Sequence, residues 1–235
     1  MNIVLIGAGG KIGSVLYSHL QRKNNVMAYD LKEDLRLKIK ALDINDSESL
    51  GNLIEQLHIG GTTVDHVINA AYPRSTSYGK NLPDVSLEDF NANINVHLGG
   101  YFNVLKNFSE LLVSQGGGGI INFSSVYGSV TPRFDIYPKD MTMPIEYAAI
   151  KSAINSISKY FLAYYKKRNL RINVVSPGGI LDDQPREFID GYNDLCINHG
   201  MINASDLVGV VDLLVDESGR SINGQVIRVD DGFCL

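Results

Sequence analysis

The stretch Asn2-Ile-Val-Leu-Ile-Gly-Ala-Gly-Gly-Lys-Ile-Gly13 decides the fold class. Its apolar run, Asn2 to Ile6, predicts a buried strand, and a helix-like pattern follows the glycines to about Gln21. Glycine lets the backbone turn tightly and approach a pyrophosphate, whose charge is met by the positive end of the next helix. A glycine-rich segment could be only a turn, but its strand and helix flanks favour a dinucleotide site.

The rest of the chain alternates apolar runs with helix-patterned segments. Further strands are predicted at 26–30, 37–42, 64–69, 120–123, 171–175 and 225–229, and helices at 47–57, 86–114, 146–168 and 205–216. Ser47 and Ser86 are the predicted N-caps of two of these helices. The alternation predicts an α/β fold: one Rossmann-type domain over residues 1–235, with a doubly wound parallel sheet of about seven strands and helices on both faces.

Composition limits the classes of function. The 235 residues are 44% hydrophobic and 20% charged, which suits a globular domain with a sizeable core. A net charge of −5, from 21 basic and 26 acidic residues, disfavours nucleic acid and anionic membranes as partners. The five histidines and two cysteines lack metal-ligand spacing, so we expect no metal and reduced thiols. Because no leader precedes the first strand and no apolar run has the length of a membrane span, we expect a cytoplasmic protein.

Tyr147-Ala-Ala-Ile-Lys151 lies on a predicted helix that follows the strand ending at Ser124-Ser125. Residues four apart share one face of a helix, so the Tyr147 hydroxyl and the Lys151 ammonium can point into one pocket. A nearby positive charge favours the phenolate. We therefore expect Lys151, with a cationic nicotinamide ring, to lower the Tyr147 pKa by about two to three units from about 10. Taken alone, this spacing is also common on solvated helices.

Asp30 ends the second predicted strand, 20 residues beyond Gly10. That spacing suits a carboxylate that accepts hydrogen bonds from the adenosine ribose hydroxyls. Lys11 and Lys32 could instead meet the 2′-phosphate of NADP, which Asp30 would repel. NAD is therefore favoured over NADP.

Five motifs in order, Gly7-x-x-Gly10-x-x-Gly13, Asn69-Ala70-Ala71, Ser125, Tyr147-x-x-x-Lys151 and Pro177-Gly178, resemble the short-chain dehydrogenase/reductase family over essentially the whole chain. The resemblance implies NAD(P)-dependent hydride exchange with a carbonyl or alcohol carbon of a small-molecule substrate. It also implies a homo-oligomer, dimer or tetramer, packed through the long helices that contain Phe102 and Tyr160.

The resemblance assigns roles to individual residues. Tyr147 would be the acid/base, Lys151 would hold the nicotinamide ribose, and Ser125 would orient the substrate oxygen. Besides Tyr147 and Lys151, the positions expected to bind the cofactor are Gly7, Gly10, Lys11, Ile12, Gly13, Asp30, Asp43, Ile44, Asn69, Ala70, Ala71, Pro177, Gly178 and Ile180.

Some positions depart from the family pattern. Ile6 replaces a threonine, Lys11 and Tyr72 replace glycines, and Asp182 replaces a threonine. His97 stands where the family has an asparagine that helps to hold a water relay behind the lysine, so His97 is a catalytic candidate. The alternative is a structural histidine. Asn95 is close in sequence but would face another way on a helix.

Two segments bear on the substrate. Residues 181–203 lack a clean period, as a mobile lid would, and residues 126–146 form a polar insert between Ser125 and Tyr147. We expect the insert to border the pocket with Arg133, Asp135, Tyr137, Lys139 and Asp140. An apolar ligand would leave such groups unpaired at about 1–3 kcal/mol each, which favours a polyhydroxylated substrate. The bland alternative is a solvated surface loop.

The text from Met141 to Tyr147 also resembles reductases encoded with bacterial surface-sugar and flagellin-modification pathways. The prediction is therefore an NAD-dependent oxidoreductase acting on a sugar or sugar-derived substrate. Two alternatives stay open: a 3-oxoacyl-carrier-protein reductase, and a cofactor-binding regulator without turnover.

Overall fold

A parallel sheet of seven strands forms the centre of the computed structural model, which describes residues 1–235. In chain order the strands are β1 (Asn2–Ile6), β2 (Asn25–Asp30), β3 (Lys40–Ala41), β4 (His66–Asn69), β5 (Gly118–Phe123), β6 (Leu170–Pro177) and β7 (Val226–Val229). Their lateral order is β3-β2-β1-β4-β5-β6-β7, and every neighbouring pair is parallel. The predicted doubly wound α/β fold is confirmed.

The third strand is shorter than predicted. Residues 37–39 were expected to belong to it, but Asp34 and Ile39 exchange two backbone hydrogen bonds of 2.9 Å each. Lys38, inside this turn, has a φ of +58°. Since the turn uses those backbone groups locally, only Lys40 and Ala41 pair with β2.

Seven α-helices surround the sheet: α1 (Lys11–Leu20), α2 (Ser47–Ile59), α3 (Leu87–Asn93), α4 (Gly99–Ser114), α5 (Ile145–Tyr164), α6 (Arg186–Asn193) and α7 (Val208–Val215). Ser86 caps α3 in a capping box with Asp89, as its position predicted. The N-cap of α2 is Asp46, whose side chain accepts a hydrogen bond from Glu48 N, so the prediction of Ser47 was wrong by one residue. None of the helices combines the length and the apolar character needed to cross a membrane.

A π-helical turn at Ile94–Leu98 divides the predicted helix 86–114 into α3 and α4. Apolar periodicity continues through such a turn, so it leaves little trace in the sequence. π-turns inside helices are frequent at functional sites. This one carries His97.

The core lies on both faces of the sheet. In β1, Ile3 and Leu5 pack toward α1 and α7, whereas Val4 and Ile6 pack toward α2 and α4. All four side chains are at most 1% exposed. Burial of side chains of this size stabilises the fold by roughly 1.5–3 kcal/mol each. The continuous apolar run of β1 therefore reflects a central strand that is covered on both sides.

The connections from β1 and β4 leave toward opposite edges of the sheet, and in such sheets a crevice opens at the carboxyl ends of these strands. Segment 181–203 packs near it and contains α6, which the sequence prediction of an aperiodic lid missed. The Tyr192 ring stacks on Phe233 at 4.1 Å, and the Tyr192 hydroxyl accepts a 2.6 Å hydrogen bond from Gly179 N. These two contacts join the segment to Phe233 and to Gly179, just after β6, and its role as a substrate lid stays a prediction.

Candidate active site

A cleft of about 1090 Å³ opens at the carboxyl ends of the strands. The glycine loop and Asp30 line one part of it, and Ser125, Tyr147 and Lys151 line another. Among the predicted site residues, all but Gly13, Asn69 and His97 line this cleft. The sequence motifs therefore converge on one continuous site.

The glycine loop is shaped by close backbone contacts. Gly7 has a φ of +82°, and a Cβ there would lie 2.6 Å from Ala71 N. A Cβ on Gly13 would lie 1.9 Å from Gly7 O, so Gly13 shapes the loop without lining the cleft. Asn69 likewise supports the cleft without lining it. Its buried Oδ1 accepts a 3.2 Å hydrogen bond from Ala71 N where the chain leaves β4.

The start of α1 fits a cofactor pyrophosphate. Gly10 is the N-cap, no side chain caps the first turn, and Gly10, Lys11 and Ile12 line the cleft. The first backbone N–H groups of a helix lack intrahelical partners and attract anions. On the other side of the cleft, Ala70 and Ala71 follow β4, Pro177 ends β6, and Gly178 and Ile180 come after it.

Asp30 ends β2 at the part of the cleft that Asp43 and Ile44 also line. Its Oδ2 accepts a 2.8 Å hydrogen bond from Gly9 N, and its Oδ1 accepts a 2.7 Å bond from Leu31 N. These bonds fix the carboxylate beside the glycine loop. Gly9 itself was not predicted as a site residue, although its place in the loop was available as a signal.

Two residues that depart from the family pattern, Lys11 and Asp182, contact each other. The Lys11 ammonium forms an ion pair with Asp182 and donates a 3.3 Å hydrogen bond to Leu181 O. The lysine that replaces a loop glycine is thus paired with the aspartate that replaces a threonine after β6. Lys32, the other cation considered for a 2′-phosphate, does not line the cleft.

Ser125, Tyr147 and Lys151 come together where β5 ends and α5 begins. The Lys151 Nζ lies 5.6 Å from the Tyr147 ring centroid and donates a 3.2 Å hydrogen bond to Phe123 O. Ser125 lines the same part of the cleft as Tyr147, and its Oγ accepts a 3.2 Å hydrogen bond from Tyr127 N. The spacing of four residues on α5 thus brings the phenol and the ammonium to one side, as predicted.

Burial controls the electrostatics of this group. It raises the pKa of Tyr147, an effect that the nearby Ser125 hydroxyl opposes. It also lowers the pKa of Lys151 to about 7. Burial therefore opposes the predicted lowering of the Tyr147 pKa by Lys151 together with a cationic nicotinamide ring, and that lowering stays a prediction. Removal from water favours the neutral forms of both Tyr147 and Lys151. Because Lys151 is then partly neutral, its charge stabilises a Tyr147 phenolate less.

His97 lies behind the cleft, 1% exposed, with no hydrogen-bond partner for its Nε2. Its ring centroid is 5.1 Å from that of Tyr72 and 5.5 Å from that of Tyr101. Burial, and then the charge of Lys151, lower the pKa of His97 to about 2, so the imidazole is neutral. Asn95 is exposed, which agrees with its predicted direction away from the site.

The predicted polar wall of the insert is wrong. Tyr137 lines the cleft, but Arg133, Asp135, Lys139 and Asp140 are exposed and lie outside it. Besides Tyr137, the insert borders the cleft mainly with Tyr127, Met141 and Met143, which were not predicted. Since unpaired buried charges are costly, the turn at Phe134–Ile136 leaves the charged groups in water while Ile136 and Tyr137 pack inward.

The loop after β4 contributes residues that the sequence analysis did not assign to the site. Tyr72, Arg74 and Tyr78 all line the cleft. The one available signal was position, since loops at the carboxyl ends of parallel strands usually carry ligand contacts.

Comparison with known proteins places the chain among oxidoreductases. A family model described as enoyl-(acyl carrier protein) reductase matches residues 11–234. The chain is 32% identical to post-translational flagellin modification protein A of Campylobacter coli, over 99% of this chain and 98% of the relative. It is 25% identical to the 3-oxoacyl-[acyl-carrier-protein] reductase FabG of Thermotoga maritima, over 96% and 93% of the two chains.

A solved structure shares the architecture. The short chain dehydrogenase from Leptospira borgpetersenii serovar Hardjo-bovis, with bound NAD+, superposes with a TM-score of 0.89 and 28% identity. The match covers 100% of this chain and 92% of that one. With the family model matched over residues 11–234 and a relative aligned over nearly its full length, this oxidoreductase with a nicotinamide-binding fold belongs to the short-chain dehydrogenase/reductase family.

Proposed function

We propose that the protein is an NAD-dependent oxidoreductase acting on a carbonyl or alcohol carbon of a sugar-derived substrate. The observation that carries the proposal is the convergence of Ser125, Tyr147 and Lys151 in one cleft with the glycine loop and Asp30. The nicotinamide, when bound, would supply or accept the hydride.

The side chains of the chain itself would manage the proton. Tyr147 would give a proton to the substrate oxygen or take one from it, while the Ser125 hydroxyl, which lines the same cleft, would orient that oxygen. A lysine ammonium has three N–H donors. Lys151 Nζ donates one hydrogen bond to Phe123 O, so two donors remain for the ribose hydroxyls of the cofactor. With a pKa of about 7, Lys151 can also exchange protons near neutral pH.

His97 would act as a positioning residue behind Lys151. The charge of Lys151 acts on its neutral ring, and its buried Nε2 has no hydrogen-bond partner among the side chains and backbone around it. An imidazole can both donate and accept a hydrogen bond, as a carboxamide can. This supports His97 as a replacement for the family asparagine.

The choice of NAD over NADP is supported by charge. A 2′-phosphate would approach Asp30, whose carboxylate is fixed by Gly9 N and Leu31 N. The nearest candidate cation, Lys11, is paired with Asp182. The similar dehydrogenase from Leptospira borgpetersenii was solved with NAD+.

The proposal of a sugar-derived substrate is supported by the tyrosines of the cleft. Tyr72, Tyr78, Tyr127 and Tyr137 line the cleft together with Tyr147, and their hydroxyls are hydrogen-bonded in two pairs, Tyr72 with Tyr78 and Tyr127 with Tyr137. Such rings can stack on the apolar face of a sugar while their hydroxyls pair with its oxygens. The similarity to a flagellin modification protein points the same way.

A second candidate is reduction of a 3-oxoacyl thioester, favoured by the similarity to the Thermotoga maritima reductase. A screen of sugars, nucleotide sugars and acyl thioesters, with NADH and NADPH compared at equal concentration, decides between them. We expect turnover of sugar-derived compounds with NADH. Efficient reduction of acyl thioesters, with every sugar inert, would establish the second candidate instead.

We further propose a homo-oligomer built on α4 and α5. Phe102 on α4 is 50% exposed, and Tyr160 and Tyr164 on α5 are 68% and 73% exposed. Light scattering should give a dimer or a tetramer, and a Phe102→Glu, Tyr160→Glu variant should shift it toward the monomer. A wild-type monomer at micromolar concentration would contradict this.

The proposed cytoplasmic location is supported by Cys196 and Cys234, which are both free thiols.

A further inference from the structure

The loop that follows β4, residues 72–79, carries a cation with no acidic partner. The Arg74 Cζ lies 5.2 Å from the ring centroid of Tyr72 and 5.8 Å from that of Tyr78. The guanidinium therefore lies against two aromatic rings at the wall of the cleft. Arg74 takes part in none of the ion pairs of the structure.

The loop is fixed relative to the first turn of α5. Asn93 Oδ1 accepts a 3.1 Å hydrogen bond from Ser75 N, and Asn93 Nδ2 donates a 3.3 Å bond to Glu146 Oε1. Both Asn93 and Glu146 are buried, and Glu146 directly precedes Tyr147. The hydroxyls of Tyr72 and Tyr78 are also hydrogen-bonded to each other. The rings beneath Arg74 are thereby anchored close to the proposed proton donor.

The charges around the cleft leave Arg74 uncompensated. Asp30 and Asp43 lie at the glycine-loop part, and Asp182 is paired with Lys11. No other carboxylate lines the cleft. The lining of the part that contains Tyr147 thus has two basic side chains, Arg74 and Lys151, and no carboxylate, while the buried Glu146 behind it accepts hydrogen bonds from Asn93 Nδ2 and Gly79 N.

Distances place Arg74 within reach of a small substrate. The Lys151 Nζ is 5.3 Å from the Tyr72 ring centroid and the Arg74 Cζ is 5.2 Å from it, so the two cations are at most about 10.5 Å apart. The Tyr147 ring centroid is 5.9 Å from the same centroid. A group bound to Arg74 would therefore be only a few bonds from a carbon that reacts beside Tyr147.

We propose that Arg74 binds an anionic oxygen group, a carboxylate or a phosphate, that the substrate carries a few bonds from its reacting carbon. The planar guanidinium presents paired N–H donors that match two oxygens of such a group, and the rings behind it leave its outer edge free. This rests on the proposed function and specifies its substrate as an acidic or phosphorylated sugar derivative.

The test compares matched ligands on the full chain saturated with NADH, so that the pyrophosphate site is filled. D-Gluconate, D-glucitol 6-phosphate and neutral D-glucitol are titrated calorimetrically into the wild type, Arg74→Gln and Arg133→Gln. Arg133 is the control, because it is exposed and lies outside the cleft. NADH affinity, measured for each variant, verifies folding.

We expect one of the two anions to bind the wild type and Arg133→Gln at least tenfold more tightly than D-glucitol, and Arg74→Gln to lose that preference. The preferred anion identifies the group as carboxylate or phosphate. The proposal would be overturned if neither anion binds detectably, or if neither binds more tightly than D-glucitol. It would also be overturned if the preference for the anion persists in Arg74→Gln.

The outcome separates this inference from the proposed reaction. Tyr147-dependent turnover of neutral sugars without any anion preference would remove the role of Arg74 and leave the oxidoreductase proposal intact. Arg74-dependent anion binding, with no turnover of any sugar in the screen, would retain the anion site and reject the sugar reaction.

Discussion

Replacing Lys151 by methionine should stabilise the protein near neutral pH while it abolishes turnover. Lys151 is 4% exposed, and burial lowers its pKa from 10.5 to about 7. At 1.36 kcal/mol per unit, that difference corresponds to a folding cost of about 5 kcal/mol as an upper limit. Losing the hydrogen bond to Phe123 O would offset about 1 kcal/mol of any gain. We expect a net stabilisation of about 1–4 kcal/mol.

The pH dependence gives this prediction its signature. Because the folded pKa lies below the unfolded one, the unfolded state binds more protons between pH 7 and 10.5, and wild-type stability rises with pH across that window. Below about pH 7 the full cost is present. The advantage of Lys151→Met should therefore be largest at pH 6–7 and shrink toward pH 10.

Urea unfolding of the wild type, Lys151→Met and Lys159→Met at several pH values between 6 and 10 measures this difference. Lys159 lies on the same helix but is exposed, so its replacement should change the unfolding free energy by less than about 0.5 kcal/mol at every pH. A Lys151→Met variant that is less stable than the wild type at pH 6, or a difference that does not vary with pH, would refute the reasoning.

Three further predictions concern the cofactor site and His97. Asp30→Ala should reduce the preference for NADH over NADPH, since the carboxylate that repels a 2′-phosphate is gone; a wild type that binds NADPH more tightly in fluorescence titrations would show that Lys11 and Lys32 prevail. Gly13→Ala should weaken NADH binding at least tenfold, because its Cβ would lie 1.9 Å from Gly7 O, whereas Gly51→Ala, which meets nothing within 4 Å, should not; unchanged affinity in Gly13→Ala would disprove the tight-loop account. His97→Ala should lower kcat and shift its pH profile, and His97→Asn should restore both; equal rates and profiles in all three proteins would assign His97 a structural role only.

The fold was predictable because its signals are local. The apolar run of β1 and the glycines after it determine strand, turn and helix within the first 20 residues. In this stretch the local pattern and the final fold favour the same structure. The pairing of Tyr147 with Lys151 was predictable for the same reason, since a helix converts a spacing of four into a shared face.

The sequence predictions failed or stay untested for side chains whose position or pKa depends on tertiary packing. Residue types in the insert do not reveal which side chains turn inward, and the structure places Tyr137 in the cleft and Arg133 in water. The pKa of Tyr147 depends on burial, which the spacing of Tyr147 and Lys151 does not report. Arg74 lacks any motif, and its place in the site follows from the arrangement of the loop after β4.

The most direct measurement of the central claim is steady-state turnover by Tyr147→Phe, with the substrate found in the screen, beside its affinity for NADH. Tyr160→Phe, on the exposed face of α5, is the matched control. The account predicts a loss of about 10²-fold or more in kcat for Tyr147→Phe, with NADH affinity within about twofold of the wild type and full activity in the control. Substantial turnover by Tyr147→Phe would contradict the assignment of Tyr147 as the group that passes the proton.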